Sequence, residues 1–328
     1  MQAYIIRRLL LIIPTVFLLT IIVFLLVRFI PGDVIDVIEA EMAEAEMGAV
    51  DRAAIAAALG LDVPVHVQYG RWIGVLPIPD KGFSGILQGD LGTSLRRQQS
   101  VTEEIFHRMP ITFELSLLAM IIGASVSLPI GIYSAIRQDT MGDYGGRTVA
   151  ILCISIPNFW VGTLIMVYPS IWWGWAPPME VIPLFEDPIG NLGMFIIPAI
   201  VMGLMLTGAS MRITRTMMLE VLRQDYIRTA WAKGLGERVI VLRHALRNAL
   251  IPVVTVIGLQ VPLLIGGSVI IEQIFCLPGL GRLMLESLSQ RDYPMISGIN
   301  LVMGVFVLFA NLGIDTTYAY LDPRVHYK

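Results

Sequence analysis

The run from Leu9 to Val27 contains no charged residue. A helix needs about 20 consecutive apolar residues to cross a bilayer. Lipid offers no hydrogen bonds, so such a run must satisfy its own backbone, which a helix does. Further apolar runs occupy Ile111–Ile136, Thr148–Trp172, Met194–Met211, Leu250–Phe275 and Met295–Thr317. Composition agrees: 55% of residues are hydrophobic and 15% charged, against about 25% charged in soluble domains. The 328 residues would otherwise suggest about two soluble domains. The expectation is instead an all-α membrane protein with six transmembrane helices. A cleaved signal peptide over Met1–Ile30 is the alternative for the first run, but the stretch exceeds the usual apolar region of roughly 7–15 residues.

Basic residues in short loops mark the cytoplasmic side. With the N-terminus inside, the inner segments hold Arg7, Arg8, Arg137, Arg147, Arg324, Lys328 and the basic stretch Arg228–Pro252. The short outer loops hold only Arg282 and Arg291, and Pro177–Gly193 carries Glu180, Glu186 and Asp187 with no basic residue. Both termini are therefore expected in the cytoplasm of a multi-pass protein.

The chain divides into three segments. Residues 1–30 form the N-terminus and first span, 31–110 an extracytoplasmic subdomain, and 111–328 a five-helix core. The subdomain opens with an acidic, alanine-rich segment (Asp33, Asp36, Glu39, Glu41, Glu44, Glu46, Asp51) expected to be helical to about Gly60. "LDVPVHVQYGRWIGVL" brings aromatic residues suited to a membrane interface or a docking surface, and "LPIPDKGFSGILQGDLGTSL" is rich in turn formers. No GxxxxGK(S/T) loop is present, so the sequence offers no phosphate cradle of that kind.

Catalytic patterns are thin. His66, His107, His244 and His326 are scattered, no HExxH or CxxC occurs, and Gly92–Ser94 is not a nucleophile elbow. Cys153 and Cys276 fall at opposite ends of their spans, too far apart for a disulfide. Ionisable groups in membranes mark functional positions by default, which brings Glu272 forward as a substrate-path residue. Its other reading is an interfacial carboxylate bonding the loop "FCLPGLGRL". Asn158 and Gln260 carry the same two readings, pathway lining or helix-to-helix hydrogen bonding. Pro157, Pro169, Pro198, Pro252 and Pro262 interrupt the runs; packing accounts for them, and mobile helices would use them too.

The stretch "RTAWAKGLGERVIVLRHALRNALIP" stands apart, being basic and broken between two apolar runs. Ile227, Ala230, Trp231 and Gly234 follow helical spacing and give a small-residue face with one large aromatic. The glycines at 234 and 236 end that helix, and a second resumes with Val239, Leu242, Leu246 and Leu250 on one face. A basic helix can lie on anionic lipid, but Ala230 and Gly234 permit the close backbone approach that a protein groove requires. The pattern favours a docking helix.

The same residues carry a resemblance. "RRLLLIIPTVFLLTIIVFLLVRFIPGD", "LGLDVPVHVQYGRW", "GDLGTSL", "RMPITFEL", "SIPNFW", "MLEVLRQDYIRTAWAKGLGERVIVLRHALRNALIPVV", "PGLGR", "RDYP" and "LDPR" occur in order along essentially the whole chain. Together they resemble permease subunits of ATP-binding-cassette importers of the dipeptide, oligopeptide and nickel type, specifically the first, B-type, subunit of the pair. The resemblance implies a type I importer permease fold whose cytoplasmic coupling (EAA) loop lies at about 212–250. It implies ATPase-coupling roles for Asp225, Tyr226, Arg228, Thr229, Ala230, Trp231, Lys233 and Gly234. Arg228-Thr229-Ala230 stand where general importers have Glu-Ala-Ala, and Trp231 departs from the arginine frequent in the peptide branch.

The implied partners are a second homologous permease, two cytoplasmic ATPase subunits, an extracytoplasmic substrate-binding protein and membrane lipid, with no nucleic acid. ATP and magnesium would bind the ATPases; this chain would carry no metal or cofactor and perform no catalysis. The location implied is a prokaryotic cytoplasmic membrane. Peptides lead as cargo, with nickel chelates, opines and oligosaccharides as alternatives. An ATP-driven exporter subunit and an intramembrane hydrolase are the other classes the sequence leaves open.

Overall fold

The computed structural model describes residues 2–29, 56, 61–79, 81–176, 178 and 181–321. The acidic segment, Glu180, His326 and, after Leu321, the rest of the terminal "LDPR" lie outside the described residues. Within them the chain is almost wholly helical: α1 (Gln2–Arg28), α2 (Val65–Ile73), α3 (Val101–Ile136), α4 (Met141–Ser155), α5 (Asn158–Trp173), α6 (Pro188–Leu222) and α7 (Asp225–Ala232). These are followed by α8 (Glu237–Leu259), then α9 (Val261–Ile274), α10 (Leu280–Ser289) and α11 (Tyr293–Leu321).

Five helices are long and apolar enough to cross a membrane: α1 from Ile6, α3, α6, α8, and α11 to Thr317. The sixth candidate is α4 with α5, and it is not the single Thr148–Trp172 helix expected, because the pair bends by 89°. Proline disfavours helical geometry in the residue before it, and Ile156 is accordingly extended (φ −89°, ψ 122°) ahead of Pro157. The expected span Leu250–Phe275 is corrected as well. The long helix is α8, which ends at Leu259, and a separate α9 begins after Gln260. Pro262 lacks the N–H that would donate to Gly258 and its ring crowds that carbonyl, so the helix restarts with proline in its first turn.

The described chain divides into two compact units. One takes in Met109–Arg282 with the parts of α1 and α11 nearest the chain ends; the other takes in Ile12–Arg108 with Leu283–Val305. In the first unit α6 is central. Phe195, Ala199, Met202 and Leu206 pack with Leu115 and Ala119 of α3, Ile271 of α9, and Phe275 and Leu277. Close helix approach is possible because α6 presents glycines. A Cβ at Gly203 would lie 2.8 Å from the Ala119 carbonyl oxygen, and one at Gly208 2.6 Å from that of Ala150. Small residues bring membrane helices together in this way.

A second core in the same unit joins Ala135, Met218, Ile227, Ala230, Ile240, Val241, Ala245 and Ala249. In the other unit Val101, Ile105, Leu283 and Met295 are fully buried. The loop after Gly92 is tied down by Asp292, which accepts from the Ser94 hydroxyl. Beside it Arg97 spans Glu104 and Glu286, each at 2.7 Å, and Arg108 meets Glu104 at 2.7 Å.

Candidate functional site

The polar end of α6 carries α7. Gln224 is extended (φ −71°, ψ 149°) and breaks the helix, and Asp225 opens α7 in its first turn, where a negative charge suits the helix dipole. Ile227 is fully buried and Ala230 is 6% exposed, both within the core formed with Met218, Ile240, Val241, Ala245 and Ala249. The Tyr226 hydroxyl accepts from Asn248 Nδ2 at 2.7 Å, stitching α7 to α8. Gly234, at φ +76°, takes the left-handed turn that ends the helix, and Leu235 N–H closes back on the Ala230 carbonyl at 3.4 Å.

This geometry sorts the expected coupling residues onto two faces. Ala230 does not face outward as its spacing suggests; it seats α7 on the chain's own core. Asp225, Tyr226, Arg228, Thr229, Trp231, Lys233 and Gly234 are exposed, with Trp231 at 49% and Arg228 paired loosely to Asp225 at 3.4 Å. On the second helix Val239 and Leu242 are exposed and Leu246 and Leu250 half-buried, and the buried face is Ile240, Val241, Ala245 and Ala249. A π-helical turn at Ile240–Ala245 adds a residue there and rotates the remainder of the helix.

The structure also shows a buried ion pair joining α4 to α6. Asp143, at the start of α4, is fully buried. Its carboxylate accepts from Arg215 Nε and Nη2, both at 2.7 Å, and from the Asp139 N–H at 3.1 Å, with Arg147 3.9 Å away. Thr140 caps α4 by accepting from the Asp143 N–H at 3.4 Å. Sequence reasoning misses this pair. Its signal is the second arginine of "MRITRTM", near the end of a long apolar helix, and an aspartate in the first turn of α4.

The three proposed pathway residues make separate contacts. Asn158 donates to the Met202 carbonyl at 3.4 Å, linking α5 to α6. Gln260 sits at the α8–α9 break, and its buried Nε2 has no hydrogen-bond partner among the described residues. Glu272 is fully buried. One oxygen accepts from Thr112 at 2.7 Å and the other from the Arg282 N–H at 2.9 Å, while Thr112 itself accepts from the Leu280 N–H at 2.8 Å. Glu272 therefore ties the loop after α9 to α3. Cys153 and Cys276 are both free thiols.

Long apolar helices, a broken sixth candidate and a short helix exposing polar and aromatic groups define a polytopic helical membrane protein. Residues 127–327 match the family described as binding-protein-dependent transport system inner membrane component, and residues 1–116 match its N-terminal companion. The chain belongs to this family: it is a multi-pass inner-membrane permease subunit of a binding-protein-dependent transport system.

It is 40% identical over 327 residues to a protein of Brucella suis biovar 1 (strain 1330), with 100% of both chains covered. It is 39% identical over 330 residues to the oligopeptide transport system permease protein AppB of Bacillus subtilis (strain 168), and 38% identical over 328 residues to the glutathione transport system permease protein GsiC of Salmonella paratyphi A. Both comparisons again cover 100% of both chains. Among solved structures, the inward-facing MetNI methionine ABC transporter matches with a TM-score of 0.51 at 14% identity, covering 66% of this chain and 96% of that one. That likeness supports the type I permease fold.

Proposed function

We propose that this chain is the B-type permease of an ATP-driven importer of peptides, forming half of the translocation path. A second homologous permease supplies the other half, two cytoplasmic ATPase subunits bind ATP and magnesium, and an extracytoplasmic binding protein delivers the cargo. The chain itself performs no catalysis. Both termini are cytoplasmic, residues 31–110 form the extracytoplasmic subdomain, and the core from 111 onward carries the coupling loop at about 212–250. The peptide assignment is supported by full-length similarity to permeases named for oligopeptides and glutathione.

The observation that carries the coupling role is the split of α7. Ile227 and Ala230 are buried in the chain's own core, while Arg228, Thr229, Trp231 and Lys233 are left outward. A helix held this firmly by two small or apolar residues offers a fixed polar and aromatic face, and aromatic and arginine side chains dominate binding at protein interfaces. Gly234 sets the exit of the chain from that face. A helix lying on lipid would instead place its apolar residues outward.

One experiment tests orientation and docking together. Trp231→Cys, in a background where Cys153 and Cys276 are alanine, should react with a membrane-impermeant maleimide only after permeabilisation. Co-assembled ATPase subunits should protect it. Labelling from outside intact cells would overturn the orientation, and equal labelling with and without the ATPases would overturn the docking role. Uptake of a labelled oligopeptide by the same cells, with a nickel chelate as competitor, reads the cargo.

A further inference from the structure

The segment from α2 to Gln88 shows an apolar surface that the transport reading does not use. α2 lies against the last turns of α1. Tyr69 and Trp72 place their rings 5.0 and 5.6 Å from that of Phe24, and the Tyr69 hydroxyl is 2.9 Å from Thr20 Oγ1. Arg28 stacks over Phe24 at 3.5 Å and donates to Gln68. α1 crosses the membrane from Ile6 to Arg28, and hydrocarbon is about 30 Å thick. The ring cluster one turn before Arg28 therefore sits at the edge of the hydrocarbon. Tyrosine and tryptophan concentrate at that level because each joins an apolar ring to a polar atom.

Beyond α2 the chain turns through Gly74 (φ +92°) and exposes Val75 at 59%, Leu76 at 37%, Phe83 at 63% and Leu87 at 69%. These residues do not hang on a loose loop. The N–H groups of Val75 and Leu76 both return to the Gly70 carbonyl, at 2.9 and 3.0 Å. Ile78 and Gly82 exchange two backbone bonds at 2.7 and 2.9 Å. Gln88 donates to the Gly74 carbonyl at 3.2 Å, Asp90 N–H to Gly85 at 3.0 Å, and the Ser84 hydroxyl to Asp90. A hydrogen-bonded platform thus holds apolar side chains outward, and contiguous exposed apolar surface of this kind marks an interaction site.

We propose that residues 75–79 and 81–87 form an interfacial membrane anchor, with Phe83 and Leu87 inserted among the acyl chains at the Arg28 end of α1. Lipid is the occupant the observations favour, because the platform continues a surface already in lipid. α1 exposes Leu25, Leu26 and Phe29 in the same turns that hold Phe24 and α2. The platform also carries a cation: Lys81 is exposed on it and able to meet a headgroup phosphate as surface-lying segments do. The anchor would hold α2 and its loop flat on the bilayer.

The test uses the assembled complex in nanodiscs of phosphatidylethanolamine and phosphatidylglycerol, with Cys153 and Cys276 replaced by alanine. Bimane is attached in turn at Phe83→Cys, Leu87→Cys and Lys81→Cys. A shallow nitroxide-labelled lipid should quench the first two several-fold more than the third, and aqueous iodide should show the reverse order. Equal iodide quenching at all three positions would overturn the anchor. So would protection of Phe83→Cys and Leu87→Cys from both quenchers, which would mean that a protein covers the platform. Lipid quenching that persists when the extracytoplasmic binding protein is added supports the anchor; its loss on addition would reassign the surface to that protein.

Discussion

α2 and α7 are short helices of nine and eight residues, and each is followed by a glycine at positive φ, Gly74 at +92° and Gly234 at +76°. They differ in which residues hold them. α7 seals Ile227 and Ala230 completely or nearly so and leaves charged and aromatic groups outside. α2 has no fully buried residue; its rings lean on α1, and the loop after it leaves aliphatic and aromatic side chains outside. Position in the chain does not separate the two, and neither does length. The exposed face does. An outward face of arginine, tryptophan and lysine on a rigid seat suits an aqueous protein partner, and an outward face of valine, leucine and phenylalanine beside a membrane span suits lipid.

The largest effect should come from breaking the seat of α7. Ala230→Glu forces a carboxylate and added volume into the core with Met218 and Val241. An unpaired buried charge costs several kcal/mol even after relaxation, and overpacking adds typically 1–3 kcal/mol. The permease should therefore melt at lower temperature even when purified without ATPase subunits, a loss that a purely outward position would not produce. Trp72→Ala on α2 sharpens the contrast. It should fall short of the roughly 3–5 kcal/mol typical of emptying a sealed core site, because the Trp72 site is only partly buried. An unchanged melting temperature for Ala230→Glu in the isolated permease would return Ala230 to the docking face.

That reversal of Ala230 shows where sequence reading reaches its limit. Long apolar runs identify α1, α3, α6 and α11, because a run of that length crossing lipid satisfies its own backbone as a helix. Gly234 is legible as a terminator for a similarly local reason. Facing is not local. Ile227 and Ala230 make a small apolar stripe that serves equally to enter a partner's groove or to lie on the chain's own core, and only the positions of Met218, Ile240 and Ala249 decide. The π-helical turn at Ile240–Ala245 has no signature in the spacing, so periodicity does not reveal Ile240 and Val241 as the buried pair. Pro157 is compatible with a kink or with a break, and the 89° bend is the second. The Asp143–Arg215 pair joins residues 72 positions apart, beyond any periodicity argument.

That pair joins α4 to α6, the helix that leads into α7, and gives the next largest effect. Asp143 is fully buried and the Arg215 side chain 16% exposed, and removing one member of a buried pair typically costs about 3–5 kcal/mol. Arg215→Met leaves Asp143 with the Asp139 N–H and the distant Arg147, so its melting temperature should drop clearly. The double variant Asp143→Leu with Arg215→Met should recover much of the loss, because replacing both members by apolar groups is often near neutral. Fluorescence-monitored melting in detergent reads both. A double variant no better than Arg215→Met would mean that the α4–α6 contact depends on the charges themselves rather than on packing.

The smallest effect compares the two tyrosines, one on each short helix. Tyr69 on α2 meets Thr20, which is 5% exposed; Tyr226 on α7 meets Asn248 with its own side 42% exposed. A net hydrogen bond contributes about 0.5–1.5 kcal/mol, and the cost of losing one grows where water cannot replace the partner. Tyr69→Phe removes the phenol from a site facing α1, although Thr20 keeps its bond to the Phe17 carbonyl at 2.7 Å, so a loss of about 1 kcal/mol is expected. Tyr226→Phe exposes Asn248 to solvent, which takes over its N–H, so global stability should hardly change. The local consequence should appear in hydrogen exchange, with faster exchange of the α7 amides and unaltered exchange in α6. Equal losses of stability in the two variants would show Asn248 as shut off from water as Thr20 is. The distinction between a solvent-facing α7 and an α2 pressed to its span would then lose its basis.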